Sequence, residues 1–311
     1  MDLKIIKKRK VWYLLSGSLF IIGVISIILF KLNLAIDFTG GTLMEVKLSN
    51  ATQTNIDTNS SSSFANYLNE NIADEKTGNI TVQKAGDKDF ILRFRQIDQT
   101  EREKLNALLK EKVDSNIKEM SFEAIGPVLG NELKKKTINA IIISVIAIIL
   151  FVAFVFRKAS YPVKSWKYGV IAIIALLHDL TITIGLFAIL GKVLNIEVDM
   201  LFITALLTIL GYSVMDTIVI YDRIRENLRK SNDTFEVTVN RSLNETITRS
   251  INTSCATLLS LFAVFFFGGD SIKMFALALI VGIILGTYSS IFVAPPLLVT
   301  LYKHENKKAK K

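Results

Sequence analysis

"GYSVMDTIVIYDRIREN", residues 211–227, ends an apolar run that begins at Met200. One carboxylate, Asp216, lies inside that run, before the polar edge at Asp222. About 20 residues of helix cross a bilayer core, so a run of this length reads as a membrane span. Five further runs read the same way. Residues 11–30, 137–156, 250–267 and 274–298 carry no charge, and 168–190 carries only isolated ionisable groups. Half of the 311 residues are hydrophobic, and these runs account for it. The chain therefore reads as a polytopic α-helical membrane protein with six transmembrane helices. The first span is too long for a signal-peptide core and no small-x-small site follows it closely, so it reads as an uncleaved anchor. Cys255 is the single cysteine, which excludes an intramolecular disulfide.

A net charge of +9 raises the question of nucleic acid, but its distribution answers it. Lys4, Lys7, Lys8, Arg9 and Lys10 precede span one, Arg157, Lys158, Lys164 and Lys167 follow span two, and Arg223, Arg225, Arg229 and Lys230 follow span four. The tail adds Lys303, Lys307 and Lys308. The short loops on the other side hold only Lys192 and Lys273. This asymmetry places both termini in the cytoplasm and makes the charge an orienting device, with no nucleic-acid role. Lys134, Lys135 and Lys136 lie on the outer side, where a long translocated segment escapes the rule.

The segment 32–136 is then extracytoplasmic. "GGTLMEVKL" (40–48) alternates as a strand, and "SSSFANYLNENI" (61–72) opens with Ser caps as a helix. "NITVQKA" (79–85) and "DFILRFRQI" (89–97) form a hairpin around Gly86-Asp87. "TEREKLNALLKEKV" (100–113) has a Thr cap with Glu three residues on, and "IKEMSFEAI" (117–125) closes as a strand. The order β-α-β-β-α-β predicts a ferredoxin-like α+β domain between spans one and two. The Ser-, Thr- and Asn-rich stretch 50–63 reads as a loop, and "IGPVLGNEL" (125–133) as a bend back to the membrane. The expected organisation is 1–31 N-tail and span one, 32–136 external domain, 137–302 spans two to six, and 303–311 basic tail.

Ionisable groups inside spans are expensive and face a bundle interior or a hydrated path. His178 and Asp179 lie in span three, Asp216 in span four, and Arg249 at the inner start of span five. Thr204, Thr208, Tyr212 and Asp216 recur every four residues, and Thr253 and Thr257 continue a row from Arg249. Three polar stripes on adjacent spans point to a shared hydrated seam. A desolvated carboxylic acid holds its proton above the ~3.9 of a solvated Asp, and a nearby guanidinium favours the charged form again. An acid whose Arg partner approaches and withdraws is thus a proton-driven switch. The plainer readings stand beside this. Asp216 and Arg249 could be a structural pair, Asp179 a receiver of hydrogen bonds, His178 a packed histidine, Arg249 an interface anchor, and the Thr rows helix-packing contacts. The row Ala278, Gly282, Gly286, Ser290 reads as a close-packing face.

Several motifs carry a resemblance: "AIDFTGGTLMEV" (35–46), "IGPVLG" (125–130), "ALLHDLTITIG" (175–185), "ALLTILGYSVMDTIVIYDRIREN" (205–227), "RSINTSCATLLSLFAVFFFGG" (249–269) and "GTYSSIFVAPPLL" (286–298). In order and nearly end to end, they resemble the SecF family, the smaller subunits of bacterial SecDF protein-export complexes in the resistance-nodulation-division superfamily. The resemblance implies a proton-motive-force-driven accessory role beside a SecD-like subunit and the SecYEG translocon, acting on exported unfolded polypeptides from the bacterial plasma membrane. It implies proton-pathway roles for Asp216 and Arg249, with Asp179 a further candidate. One departure is Met215, where the family pattern has Asn. Two other classes remain open: a proton-coupled exporter of small molecules or lipids, and a non-conducting structural subunit. No Ser/His/Asp set, paired-Cys metal site or phosphate loop is recognisable, so neither an enzyme nor a cofactor is expected.

Overall fold

The structure is a computed structural model that describes residues 3–49, 60–85, 88–156 and 163–309. It divides into two compact units, one of the described residues up to Asn33 together with those from Asn139 onward, the other Leu34–Ile138.

In the smaller unit a four-residue helix α2 (Ile36–Thr39) leads into β1 (Gly41–Lys47), followed by α3 (Ser61–Asn71), β2 (Thr81–Lys84), β3 (Asp89–Phe94), α4 (Gln99–Lys112) and β4 (Lys118–Ile125). The sheet is antiparallel in the order β2-β3-β1-β4. This is the ferredoxin-like arrangement expected from the element order. Met44, Val46, Phe90, Leu92 and Phe94 alternate with more exposed residues and pack against Phe64 and Leu68 of α3 and Leu105 and Leu109 of α4. The cap of α4 is Asp98, not Thr100: its side chain accepts from the Glu101 amide while Glu101 accepts from the Asp98 amide. Ser60 caps α3. The turn expected at Gly86-Asp87, most of the stretch 50–63, and Arg157 and Lys158 lie outside the described residues. Two glycines explain why "TGG" must be as it is. Gly40 and Gly41 adopt φ of 72° and 132°, and a Cβ on Gly40 would sit 2.8 Å from Pro127 Cα.

Among the described residues six helices are long and apolar enough to cross a membrane. They are α1 (Arg9–Phe30), α5 (Pro127–Val155), α6 (Ser165–Leu194), α7 (Met200–Lys230), α8 (Phe235–Phe267) and α9 (Asp270–Phe292), the last continued by α10 (Ala294–Ala309). Two boundaries differ from expectation. The bend before span two is confined to Gly126, because Pro127 is preset for a first helical turn and α5 runs on through Lys134–Lys136. The sixth span breaks at Val293, since Pro295 and Pro296 have no amide to donate into the preceding turn.

In the larger unit α7 and α9 pack most closely. Gly282 faces Ile209 and Gly286 lies against Ser213, where a Cβ would stand 3.1 Å from the Ser213 Cβ. Ala278 and Ser290, the other members of that row, are buried as well. Helix α1 meets α6 backbone to backbone: a Cβ on Gly185 would be 2.5 Å from Gly23 Cα. Helices α5 and α8 are mostly exposed, with Ile143, Leu150, Leu259 and Phe267 uncovered.

Candidate functional site

Two polar clusters lie within the spans, one joining α6, α7 and α9 and the other joining α7 and α8. The first centres on Asp179 of α6, which is fully buried. Its Oδ2 accepts from Ser213 Oγ of α7 at 2.7 Å and Ser289 Oγ of α9 at 2.6 Å, and its Oδ1 pairs with His178 Nδ1 at 2.9 Å. Thr183 donates to the Asp179 carbonyl one turn away. The His178 ring lies parallel to Phe20 of α1, with its Nε2 buried and unpartnered. Small residues permit this convergence, since the Gly286 contact brings α9 onto Ser213.

The second cluster joins α7 and α8. Asp216 is 7% exposed, and among the described residues its Oδ2 makes no well-aligned hydrogen bond. The Ser250 hydroxyl of α8 lies beside this carboxyl group, close enough to hydrogen-bond it on a small shift, and the Arg249 guanidinium, also on α8, acts on it through charge. Ser250 Oγ is likewise buried and among the described residues makes no well-aligned hydrogen bond. Among the described residues no ion pair within 4.0 Å joins Asp216 to Arg249. One turn toward the other end, Tyr212 donates to Ser254 Oγ at 3.2 Å, and Ser254 bonds Thr287 of α9 at 2.6 Å.

The predicted rows therefore divide. Tyr212 and Asp216 face α8, whereas Thr204 and Thr208 are exposed and bond only their own helix carbonyls at Met200 and Thr204. Arg249 and Thr253 are exposed and Thr257 half-buried; the buried face of α8 lies one residue on, at Ser250 and Ser254. The single shared seam expected from three stripes is instead two clusters, because α6 packs on α7 and α9 and not on α8. Met215, which replaces the expected Asn, points outward at 56% exposure and away from the acid's buried surroundings. Sequence reasoning missed Ser213, Ser289, Ser250 and Ser254. A four-residue count from Ser250 would have found the last, but nothing in the chain pairs Ser289 with Asp179 over 110 positions. Among the described residues no three His, Cys, Asp or Glu side chains gather to hold a metal.

At the charged end of the α7–α8 hairpin, Arg223 pairs with Glu245 at 2.6 Å, and Asn227 Nδ2 donates to Ser242 Oγ at 3.0 Å and to Glu245 at 2.7 Å. Leu3 and Asn244 exchange hydrogen bonds, and Glu236 receives both Arg9 and Lys303, so the N-terminal segment, α8 and α10 are tied together.

Comparison with known proteins gives consistent results. Residues 104–304 match the family described as protein export membrane protein SecD/SecF, C-terminal, and residues 25–52 match the SecD/SecF GG motif. The protein translocase subunit SecF of Thermobaculum terrenum is 42% identical over 95% of this chain and 93% of its own length. That of Synechocystis is 40% identical over 84% of this chain and 80% of its own. The crystal structure of SecDF from Thermus thermophilus, described as a translocon-associated membrane protein, superposes with a TM-score of 0.82 at 30% identity. The match covers 98% of this chain and 39% of that longer one.

Proposed function

This chain belongs to the SecD/SecF family of protein-export membrane proteins, and on that premise we propose that it is the SecF subunit of an accessory complex that uses the proton motive force to assist exported polypeptides through the Sec channel. It is a multi-pass membrane protein with a SecD-like partner. In this reading it lies in the bacterial plasma membrane with both termini cytoplasmic, which the charge asymmetry supports. The SecYEG translocon and the unfolded exported chain complete the assembly. Its relatives are named as translocase subunits, a transport role rather than a bond-making one.

The observation that carries the proton-coupled part is Asp216, a buried acid with one oxygen that makes no well-aligned hydrogen bond among the described residues. A buried carboxyl group that only held helices together would be expected to have its bonds made. Asp216 instead has room to gain and lose a proton, with Arg249 close enough to respond and outside ion-pair distance. Asp179 ties α6, α7 and α9 together in the adjacent cluster, with His178 oriented beside it. Thr204, Thr208, Thr253 and Thr257 form the outer polar surface of α7 and α8. Polar groups at membrane depth are costly against lipid, which supports placing the SecD-like partner on that face, where it would enclose a water path to Asp216. The segment 32–136 is the external domain that moves when α7 and α8 shift.

Two measurements test this. Purification in mild detergent should bring down a SecD-like subunit and the Sec channel. Cells carrying only Asp216→Asn should keep a folded, inserted protein and lose export assistance. Normal export in those cells removes Asp216 from the mechanism.

A further inference from the structure

Helix α8 carries a row the function above does not use. Thr238, Ser242, Thr246, Ser250 and Ser254 recur every four residues, and all are buried, Thr246 being the most exposed at 7%. A small-residue row alone is ordinary helix packing, and hydroxyls bonded to their own helix are common. Two observations set this one apart. Two neighbouring polar atoms at its upper part, Asp216 Oδ2 and Ser250 Oγ, are buried side by side, and among the described residues neither makes a well-aligned hydrogen bond. At its lower part Asn227 Nδ2 donates to Ser242 Oγ, which places a lone pair of that hydroxyl toward α7.

We propose that this row is the route by which a proton leaves Asp216 for the cytoplasmic surface: Ser250, then Thr246, then Ser242, ending at Glu245. This rests on the reading that Asp216 binds and releases the proton. The chemistry of the rungs fits. Ser242 and Thr246 donate to carbonyls of their own helix, Thr238 O and Ser242 O, at 2.8 and 2.9 Å. Their oxygens keep lone pairs free to accept from water. Four residues of helix rise about 6 Å, too far for one hydroxyl to reach the next. Two hydrogen bonds of about 2.8 Å span that gap, so each interval takes one water. Each hop breaks one O–H bond and makes the next, and the last delivers the proton to Glu245. That carboxylate is held by Arg223 and Asn227 at the charged end of the hairpin and is exposed. From Ser250 to Ser242 the rise is about 12 Å, so two waters bridge three rungs.

The test uses the full chain with its SecD-like partner in lipid vesicles. Protonation of Asp216 is followed by the infrared carbonyl band that Asp216→Asn removes, and proton flux by a trapped pH dye. Thr246→Val keeps the shape and deletes the hydroxyl; Thr246→Ser keeps the hydroxyl. Acidifying the outer side should protonate Asp216 at the wild-type rate in both variants. Raising the pH inside should discharge it several-fold more slowly in Thr246→Val alone, with a larger solvent deuterium effect and an unchanged unfolding midpoint. If Thr246→Val lowers that midpoint, Ser242→Ala supplies the same comparison at the next rung. Discharge at the wild-type rate in a folded rung variant overturns the route while leaving the function of Asp216 intact. Absence of any Asp216-dependent band or flux in the wild type overturns both.

Discussion

Asp179 and Asp216 are both acids at membrane depth, and their bonding separates them. Asp179 has a partner on each oxygen and draws α7 and α9 to α6. Hydrogen bonds between membrane helices average ~0.6 kcal/mol and reach ~1.7. Ser213→Ala and Ser289→Ala should therefore each lower the unfolding midpoint slightly, with export falling only as far as protein level falls. Asp216 should behave differently. Arg249 is exposed and forms no ion pair with it, so Arg249→Met is expected to cost no more than ~1 kcal/mol, as exposed charges do. It should nevertheless stop proton-coupled export, and joining it to Asp216→Asn should not restore activity. A double mutant that exports normally would mean the two residues are a structural pair. Protein level and export rate for both singles and the double decide this.

Elements in the membrane are held by the places where side chains are missing. Gly185 and Gly23 leave no room for a Cβ between α1 and α6, whereas Gly17, on the same α1, has nothing within 4 Å. Gly185→Leu should cost at least ~1–3 kcal/mol, the usual range for overpacking, and Gly17→Leu almost nothing. Thermal unfolding of the purified chain checks the contrast, and equal losses would show that the contact does not hold α1. This scale is also where the sequence was most and least informative. Six apolar runs were legible from length and lack of charge alone, and the β-α-β-β-α-β order from alternation and capping residues. The buried face of α8 was not, because "NETITRSINTSC" is polar at most positions and its periodicity names no face. The cap of α4 was ambiguous because Asp98 and Thr100 each have a Glu three residues on, and only the backbone chose Asp98. The pairing of Asp179 with two serines needs the fold itself, since it joins three helices distant in sequence.

At the scale of the molecule, the smaller unit has its own core and its own acid-sensitive clip. Burial opposes ionisation of Asp114, but amide bonds from Asn116 and Ser49 and the Ser49 hydroxyl outweigh it and hold its carboxyl below the usual carboxylate range. Burial likewise opposes Glu119, and Arg102 and Asn106 hold it low. Groups lowered by folding contribute stability that is complete above their unfolded values of ~3.9–4.3 and is lost as pH falls through the folded values. A fragment of residues 32–136 should therefore fold alone near neutrality and lose melting temperature below pH ~4. Asp114→Asn should start lower, by ~1–3 kcal/mol for the unmet donors, and fall less steeply with acid. A fragment disordered at neutral pH would refute independent folding. The Gly23–Gly185 contact has a consequence in time as well. At ~5–20 residues per second, the ribosome needs about 8–30 s to make the ~160 residues between them. For that interval the nascent first span waits in lipid without its partner. Its many exposed apolar side chains, Leu14, Ile21, Ile28 and Leu29 among them, suit it to wait. Any quality-control protease that recognises lone spans thus has its widest opportunity before α6 emerges.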